Sequence, residues 1–210
     1  MGCSLLVVAS VSKATNMSIL SRNIESFDSS WECLIFGHDV NSYVNIPRTC
    51  NFILLHGTRW AEVIDRGSSI IDNYKCNRHM LMLDDVKIDS RYFDVNALVN
   101  YASRHNIDIA SPLVHRATHP WMRNCTTQLE FVEIYMTLFQ KRAWKSFQKL
   151  VRFVPGVGWG YDICLARHYR SAIDCNQSVT HMEHRSLASD SERAKKEMAV
   201  ITEKCSSYVR

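Results

Sequence analysis

Long hydrophobic runs are missing from this sequence. The N-terminal apolar stretch Leu5-Leu6-Val7-Val8-Ala9 is too short to cross a bilayer, and no basic segment precedes it, so it reads as neither a membrane span nor a leader. Met1-Gly2-Cys3 opens like a myristoylation signal, but Leu6 stands where that signal needs Ser or Thr. Runs of one charge are missing too. The 25 Lys and Arg face 21 Asp and Glu, for a net charge of +4, and no basic stripe tracks a phosphate backbone, so no nucleic-acid partner is expected. Neither G-x-x-x-x-G-K-[ST] nor G-x-G-x-x-G occurs, which excludes the common phosphate-cradling loops. G-x-S-x-G and H-E-x-x-H are also lacking, and the nine histidines do not group into a zinc pattern. The eight cysteines (Cys3, Cys33, Cys50, Cys76, Cys125, Cys164, Cys175 and Cys205) include no C-x-x-C pair. So scattered, they read as free thiols of a reducing compartment, and a cytoplasmic location is expected.

What is present is a succession of short apolar runs separated by stretches long enough for helices. Strands are expected over 4–10, 31–37, 51–56 and 79–83, with helices over 17–27 and 60–73 between them. The pattern then predicts a helix over 95–104, a short strand over 107–110 and a strand over 131–139. Helices over 142–151 and 162–169 and a strand over 172–179 follow. Residues 155–160 hold three glycines and a proline and must be loop. Ser189-x-x-Glu192 is a capping-box signal ahead of a charged helix. Such alternation predicts a single α/β domain with a central mixed, mainly parallel sheet flanked by helices. The domain is expected over 1–185, with 186–210 a charged helical tail or the start of a linker.

In parallel sheets ligands bind at the carboxyl ends of the strands, and Asp39, Arg59 and Asp84-Asp85 all fall just after strand-like runs. Two carboxylates leaving a buried strand repel each other, and a hard divalent cation would compensate them. The alternative is a solvated turn. In Gly156-Val157-Gly158-Trp159-Gly160-Tyr161-Asp162, Trp159 offers a flat apolar face for a sugar ring, Gly160 allows close backbone approach, and Asp162 supplies a carboxylate. A structural turn with Trp159 in the core and Asp162 as an N-cap is the competing reading. Glu133, inside Phe131-Val132-Glu133-Ile134-Tyr135, is costly to bury unless paired or functional; one polar face of an alternating strand is the alternative. His181 would complete a site for Mn²⁺, or be an ordinary surface or core histidine.

The order of Leu5–Ser10, Phe36-Gly37-His38-Asp39, Leu83-Asp84-Asp85-Val86, Ile109-Ala110-Ser111-Pro112, Phe131-Val132-Glu133, Gly158-Trp159-Gly160-Tyr161-Asp162 and Val179-Thr180-His181 resembles the GT-A nucleotide-sugar glycosyltransferases. It is similar in particular to a little-characterised GT-A-like group of plants and bacteria, and to compact glycosyltransferase domains of large algal viruses. The resemblance implies a GT-A-like fold and a metal-dependent transferase that moves a hexose or deoxyhexose from a UDP-sugar to a glycan acceptor hydroxyl. For a viral protein the expected location is the host cytoplasm. Carried over by position, Ser10 and Asp39 would contact the nucleoside, with Arg59 beside them. Asp84 and Asp85 take the place of the Asp-x-Asp motif and, with His181, would hold Mn²⁺ or Mg²⁺ on the diphosphate. Glu133 and Asp162 would face donor sugar and acceptor, one of them acting as general base toward the acceptor hydroxyl or as a stabiliser of the cationic sugar. Here the acids are adjacent, which departs from the usual spacing; Asp85 is favoured as the direct ligand. A metal-dependent phosphoesterase and a non-catalytic sugar-binding module are the other classes considered.

Overall fold

The computed structural model describes residues 3–11, 15–26, 31–37, 50–55, 59–117, 119–125, 131–154, 158–182 and 188–208. Eight strands form one sheet in the order β3-β2-β1-β4-β7-β6-β8-β5. The first half is parallel: β1 (Leu5–Val11) lies between β2 (Glu32–Gly37) and β4 (Arg78–Leu83), and β2 pairs with β3 (Asn51–Leu54). β1 is buried along its whole length, which is why it reads as a continuous apolar run and not an alternating one. The second half is mixed. β7 (Met136–Gln140) runs antiparallel between β4 and β6 (Ile109–His115), β8 (Ser171–His181) runs parallel to β6, and the short β5 (Val86–Lys87) closes the sheet antiparallel to β8.

Helices cover the sheet. In α6 (Lys141–Phe153) the buried Ala143, Trp144, Phe147, Leu150 and Val151 form one apolar stripe. Trp144 stacks on His79 at 4.9 Å and meets Phe139 edge-on. Burial pushes the His79 imidazole down to about 4, so this core histidine is neutral. α4 (Val95–Arg104) starts at Asp94, whose side chain accepts from the Asn96 amide at 2.8 Å; α1 (Met17–Glu25) has Asn16 in the same role. α7 (Tyr161–Ala166) and α8 (Ala188–Tyr208) pack on one another, with Ile201 and Cys205 of α8 buried. Among the described residues no helix is long and apolar enough to cross a membrane.

Several expectations change. The helix over 60–73 is two helices, α2 (Trp60–Arg66) and α3 (Ser68–Asn73), divided at Gly67. A Cβ there would lie 2.4 Å from the Phe36 ring, so close packing against β2 requires glycine. The strand over 131–139 begins only at Met136; Phe131 to Tyr135 is irregular and packs beside α5 (Pro120–Asn124), a helix that apolar periodicity did not reveal. β6 runs on past its expected end, through Pro112, where the pairing with β8 shifts register. A bulge of this kind tolerates a residue without an N–H. The Ser189 capping box is displaced as well, since α8 already begins at Ala188.

The largest correction concerns cysteine. All eight are paired, as Cys3–Cys76, Cys33–Cys50, Cys125–Cys175 and Cys164–Cys205. The reason lies in strand register. Leu5 faces Arg78 and Leu34 faces Asn51, so the cysteines just upstream of each parallel pair meet with Cα atoms 4.5 and 4.6 Å apart. Separations of 73 and 17 residues carry no sign of this in sequence. The free-thiol argument for a cytoplasmic location is thereby removed.

Candidate active site

Asp84 and Asp85 form the two-residue turn between β4 and β5, at the carboxyl edge shared by the parallel strands. The Thr15 hydroxyl donates to Asp84 Oδ2. Asp85 turns the other way: its Oδ2 lies 3.0 Å from His181 Nε2, although 96 residues separate the two. The backbone enforces this meeting, because Val86 pairs with His181 across the β5–β8 ladder and the Met182 amide donates to the Asp85 carbonyl at 2.7 Å. His181 Nδ1 is 3.3 Å from the Arg116 carbonyl, which only an Nδ1–H can satisfy. The hydrogen bond to Asp85 is the main cause raising the imidazole above its ordinary value. The Tyr135 ring packs on the imidazole at 4.5 Å between centroids.

These residues suit a divalent cation. Asp85 Oδ1 is buried and has no hydrogen-bond partner among the described residues, an arrangement that is costly without an ion or donor to compensate it. The Nδ1–H bond to Arg116 fixes the tautomer that leaves Nε2 of a neutral His181 for a metal. Among the described residues no three His, Cys, Asp or Glu side chains form a closed cage. An open site completed by phosphate oxygens is how Mg²⁺ is commonly held.

Beside the pair lies a cavity of about 530 Å³ lined by Trp60, Glu133, Tyr135, Trp159, Asp162 and Met198, among others. Leu83 and Tyr135 also line it, so the cavity reaches the strand end that carries the aspartates and the ring that touches His181. Glu133 is buried; its Oε2 accepts from the His119 amide at 3.1 Å and Oε1 lies 3.8 Å from His119 Nε2. His119 in turn stacks on Trp121 at 4.5 Å and meets Phe131 edge-on. Trp159 is 49% exposed, so it is not a core residue. Gly160 has φ +94, and a Cβ there would press on the Met198 backbone at 3.1 Å; the left-handed turn and the close passage of α8 both require glycine.

Asp162 sits in the first turn of α7, whose N-cap is Gly160. It is therefore not the N-cap. Its Oδ1 accepts from the Ile163 amide at 2.8 Å. Burial, followed by the nearby Glu133 charge, pushes its carboxyl up to about 7. A carboxyl poised near neutrality inside a cavity is suited to exchanging a proton with a bound hydroxyl.

Of the residues singled out in sequence, the fold thus brings Asp85 to His181, and gathers Glu133, Trp159, Gly160 and Asp162 around one cavity. Ser10 is buried at the end of β1, paired in register with Leu83 of β4. Arg59 is the N-cap of α2, next to the cavity residue Trp60, and makes no side-chain cap. Asp39 lies outside the described residues. Sequence reading passed over Thr15, His119, Tyr135 and Met198. Only His119-Pro120-Trp121, a helix start beside an aromatic, carried a local signal.

Neither protein-family models nor curated proteins match the chain; solved structures do. Glucosyl-3-phosphoglycerate synthase from Mycobacterium tuberculosis, in complex with Mn²⁺, UDP-glucose and phosphoglyceric acid, is 10% identical with a TM-score of 0.63 over 98% of this chain and 80% of that one. The same synthase with Mn²⁺, UDP and phosphoglyceric acid is 13% identical with a TM-score of 0.65, over 97% and 79%. A197 from STIV is 8% identical with a TM-score of 0.50, over 86% of each chain. At these identities the likeness is one of fold, and the fold is the mixed α/β GT-A type of the glycosyltransferases.

Proposed function

We propose that residues 1–185, with α8 packed against them and lining the cavity through Met198, form the catalytic domain of a metal-dependent glycosyltransferase that moves a hexose or deoxyhexose from a UDP-sugar to a glycan hydroxyl. The observation that carries this reading is the convergence of Asp85 and His181 beside a cavity holding Asp162, a carboxyl poised near 7. The UDP-sugar and Mn²⁺ found with the structurally similar synthase support it.

In this reading Asp85 and His181 would hold Mn²⁺ or Mg²⁺, and Asp84, oriented by Thr15, would assist from the same turn. A cation so placed would stabilise negative charge on the departing diphosphate. Trp159 presents its exposed ring to a sugar face. Asp162 accepts the acceptor hydroxyl's proton as the new glycosidic bond forms at the anomeric carbon. The bond from that carbon to the diphosphate breaks, and its electrons leave with the diphosphate. Glu133, held by His119, is a positioning residue that keeps the Asp162 carboxyl basic enough to take the proton. Four disulfides favour folding in an oxidising compartment, or in an organism whose cytoplasm tolerates them.

The test is a thermal-shift series with UDP, GDP and CMP, each with and without Mn²⁺. Binding to the native state raises stability by RT ln(1 + [L]/Kd), so a metal-dependent shift with UDP is expected. Asp85→Ala should abolish the metal-dependent part and leave the fold intact. No shift with any nucleotide in the presence of metal would remove the basis for the transferase reading.

A further inference from the structure

The strand that carries His181 has a second, outward face, and that face forms another cavity of about 410 Å³. Lys87, Tyr92, His115, Arg116, Ser178 and Thr180 are among its lining residues. Its composition follows from register. Thr180 of β8 pairs with His115 of β6 on one side and with Lys87 of β5 on the other. Directly opposed residues share a sheet face, as do residues two apart on a strand. His115, Thr180 and Lys87 therefore stand in one row, with Ser178 on the same face. His181, one residue further on, points to the opposite side and meets Asp85.

The charge of this cavity is one-sided. Lys87, His115 and Arg116 are exposed, and among the described residues none of them makes an ion pair. The acid on the rim, Asp89, is bound by Arg91 of its own loop at 2.6 Å, and the Lys87 charge also acts on it. Tyr92, 57% exposed, lies at the mouth beneath the same guanidinium, 5.3 Å from its ring centroid. The loop is fixed over β8 by the Ser178 amide, which donates to the Tyr92 carbonyl at 2.8 Å. Arg116 takes a left-handed backbone, φ +67, an uncommon conformation for a non-glycine residue.

We propose that this cavity binds a phosphate group, free or carried on a larger molecule, at a site separate from the transfer site. A lysine, an arginine and a histidine around two hydroxyls supply more donors than a single carboxylate can accept, and they match the three oxygens and double charge of a phosphate. Tyr92 gives the body of a larger phosphorylated molecule an apolar face to rest on.

The test is to titrate the full chain with inorganic phosphate and with glycerol 1-phosphate, following binding by calorimetry with and without saturating UDP and Mg²⁺. Saturable binding that persists beside UDP is expected. The variant Lys87→Gln/Arg116→Asn should weaken it at least about tenfold, the loss of roughly one charge-assisted hydrogen bond. Asn tolerates the left-handed backbone at 116. If the double variant melts early, Lys87→Gln alone carries the test, since Lys87 is exposed. Tighter binding of glycerol 1-phosphate assigns the site to a phosphorylated molecule, and equal affinity assigns it to phosphate itself. Unchanged affinity in the variants, or full displacement by UDP with Mg²⁺, overturns the proposal. Neither outcome depends on whether the chain transfers sugar.

Discussion

Replacing Asp162 by Asn removes a carboxyl in the candidate site that burial and a neighbouring charge push far from its ordinary value. In the folded chain this group holds its proton to about pH 7, against an ordinary value of 3.8. A raised carboxyl binds its proton more tightly in the native state than in the unfolded one. Its stabilising contribution is therefore complete below about pH 4 and is lost as pH climbs through about 7. At ~1.4 kcal/mol per pH unit the gap corresponds to roughly 4 kcal/mol. Asp162 lines an open cavity that admits water, and solvent screening brings the expected loss nearer about 2 kcal/mol. The assay is urea denaturation at about pH 5 and about pH 8, comparing the parent with Asp162→Asn. The parent should lose about 1 kcal/mol more than the variant over that interval, because only about two of the three pH units between the ordinary and folded values lie above pH 5. Glu133→Gln, which removes the neighbouring charge, should shrink the difference. If the parent and Asp162→Asn lose stability in parallel, Asp162 does not titrate near neutrality and its role as a base falls with it. If it does titrate there, activity should rise through about pH 7 in the parent. Asp162→Asn should then lose about 10²–10⁴-fold in kcat.

The disulfides make a second prediction: protein denatured without reductant should show no reactive thiol, and finding eight would remove the framework described here. Cys164→Ser/Cys205→Ser opens a loop of 41 residues and should cost about 2–4 kcal/mol by denaturant titration, while loosening the α8 wall that carries Met198. Gly67→Ala places a methyl 2.4 Å from the Phe36 ring and should destabilise by about 1–3 kcal/mol. An unchanged melting temperature would show that the α2–α3 junction has room to spare.

By itself the sequence determined the first half of the sheet and most of the helices. Continuous apolar runs such as Leu5–Val11 suit strands buried on both faces, and the Trp144–Phe147–Val151 spacing suits a helix on a core. It also placed Asp84-Asp85 after a buried strand, because the end of an apolar run is a local property. Tertiary structure decided what depends on register and on encounters between distant segments. Cys3 meets Cys76, Asp85 meets His181, and Glu133 meets His119 because strand pairing and loop paths bring them together. Sequence reading already favoured Asp85 as the direct ligand, and the structure gives the two acids different partners. Asp84 is engaged by Thr15, whereas Asp85 faces His181 with one buried oxygen unpartnered among the described residues. Likewise, the carboxyl of Asp162 is set near neutrality by burial and by Glu133. Neither cause is visible until the chain has folded, because both depend on what surrounds a side chain in space and not on its neighbours in sequence.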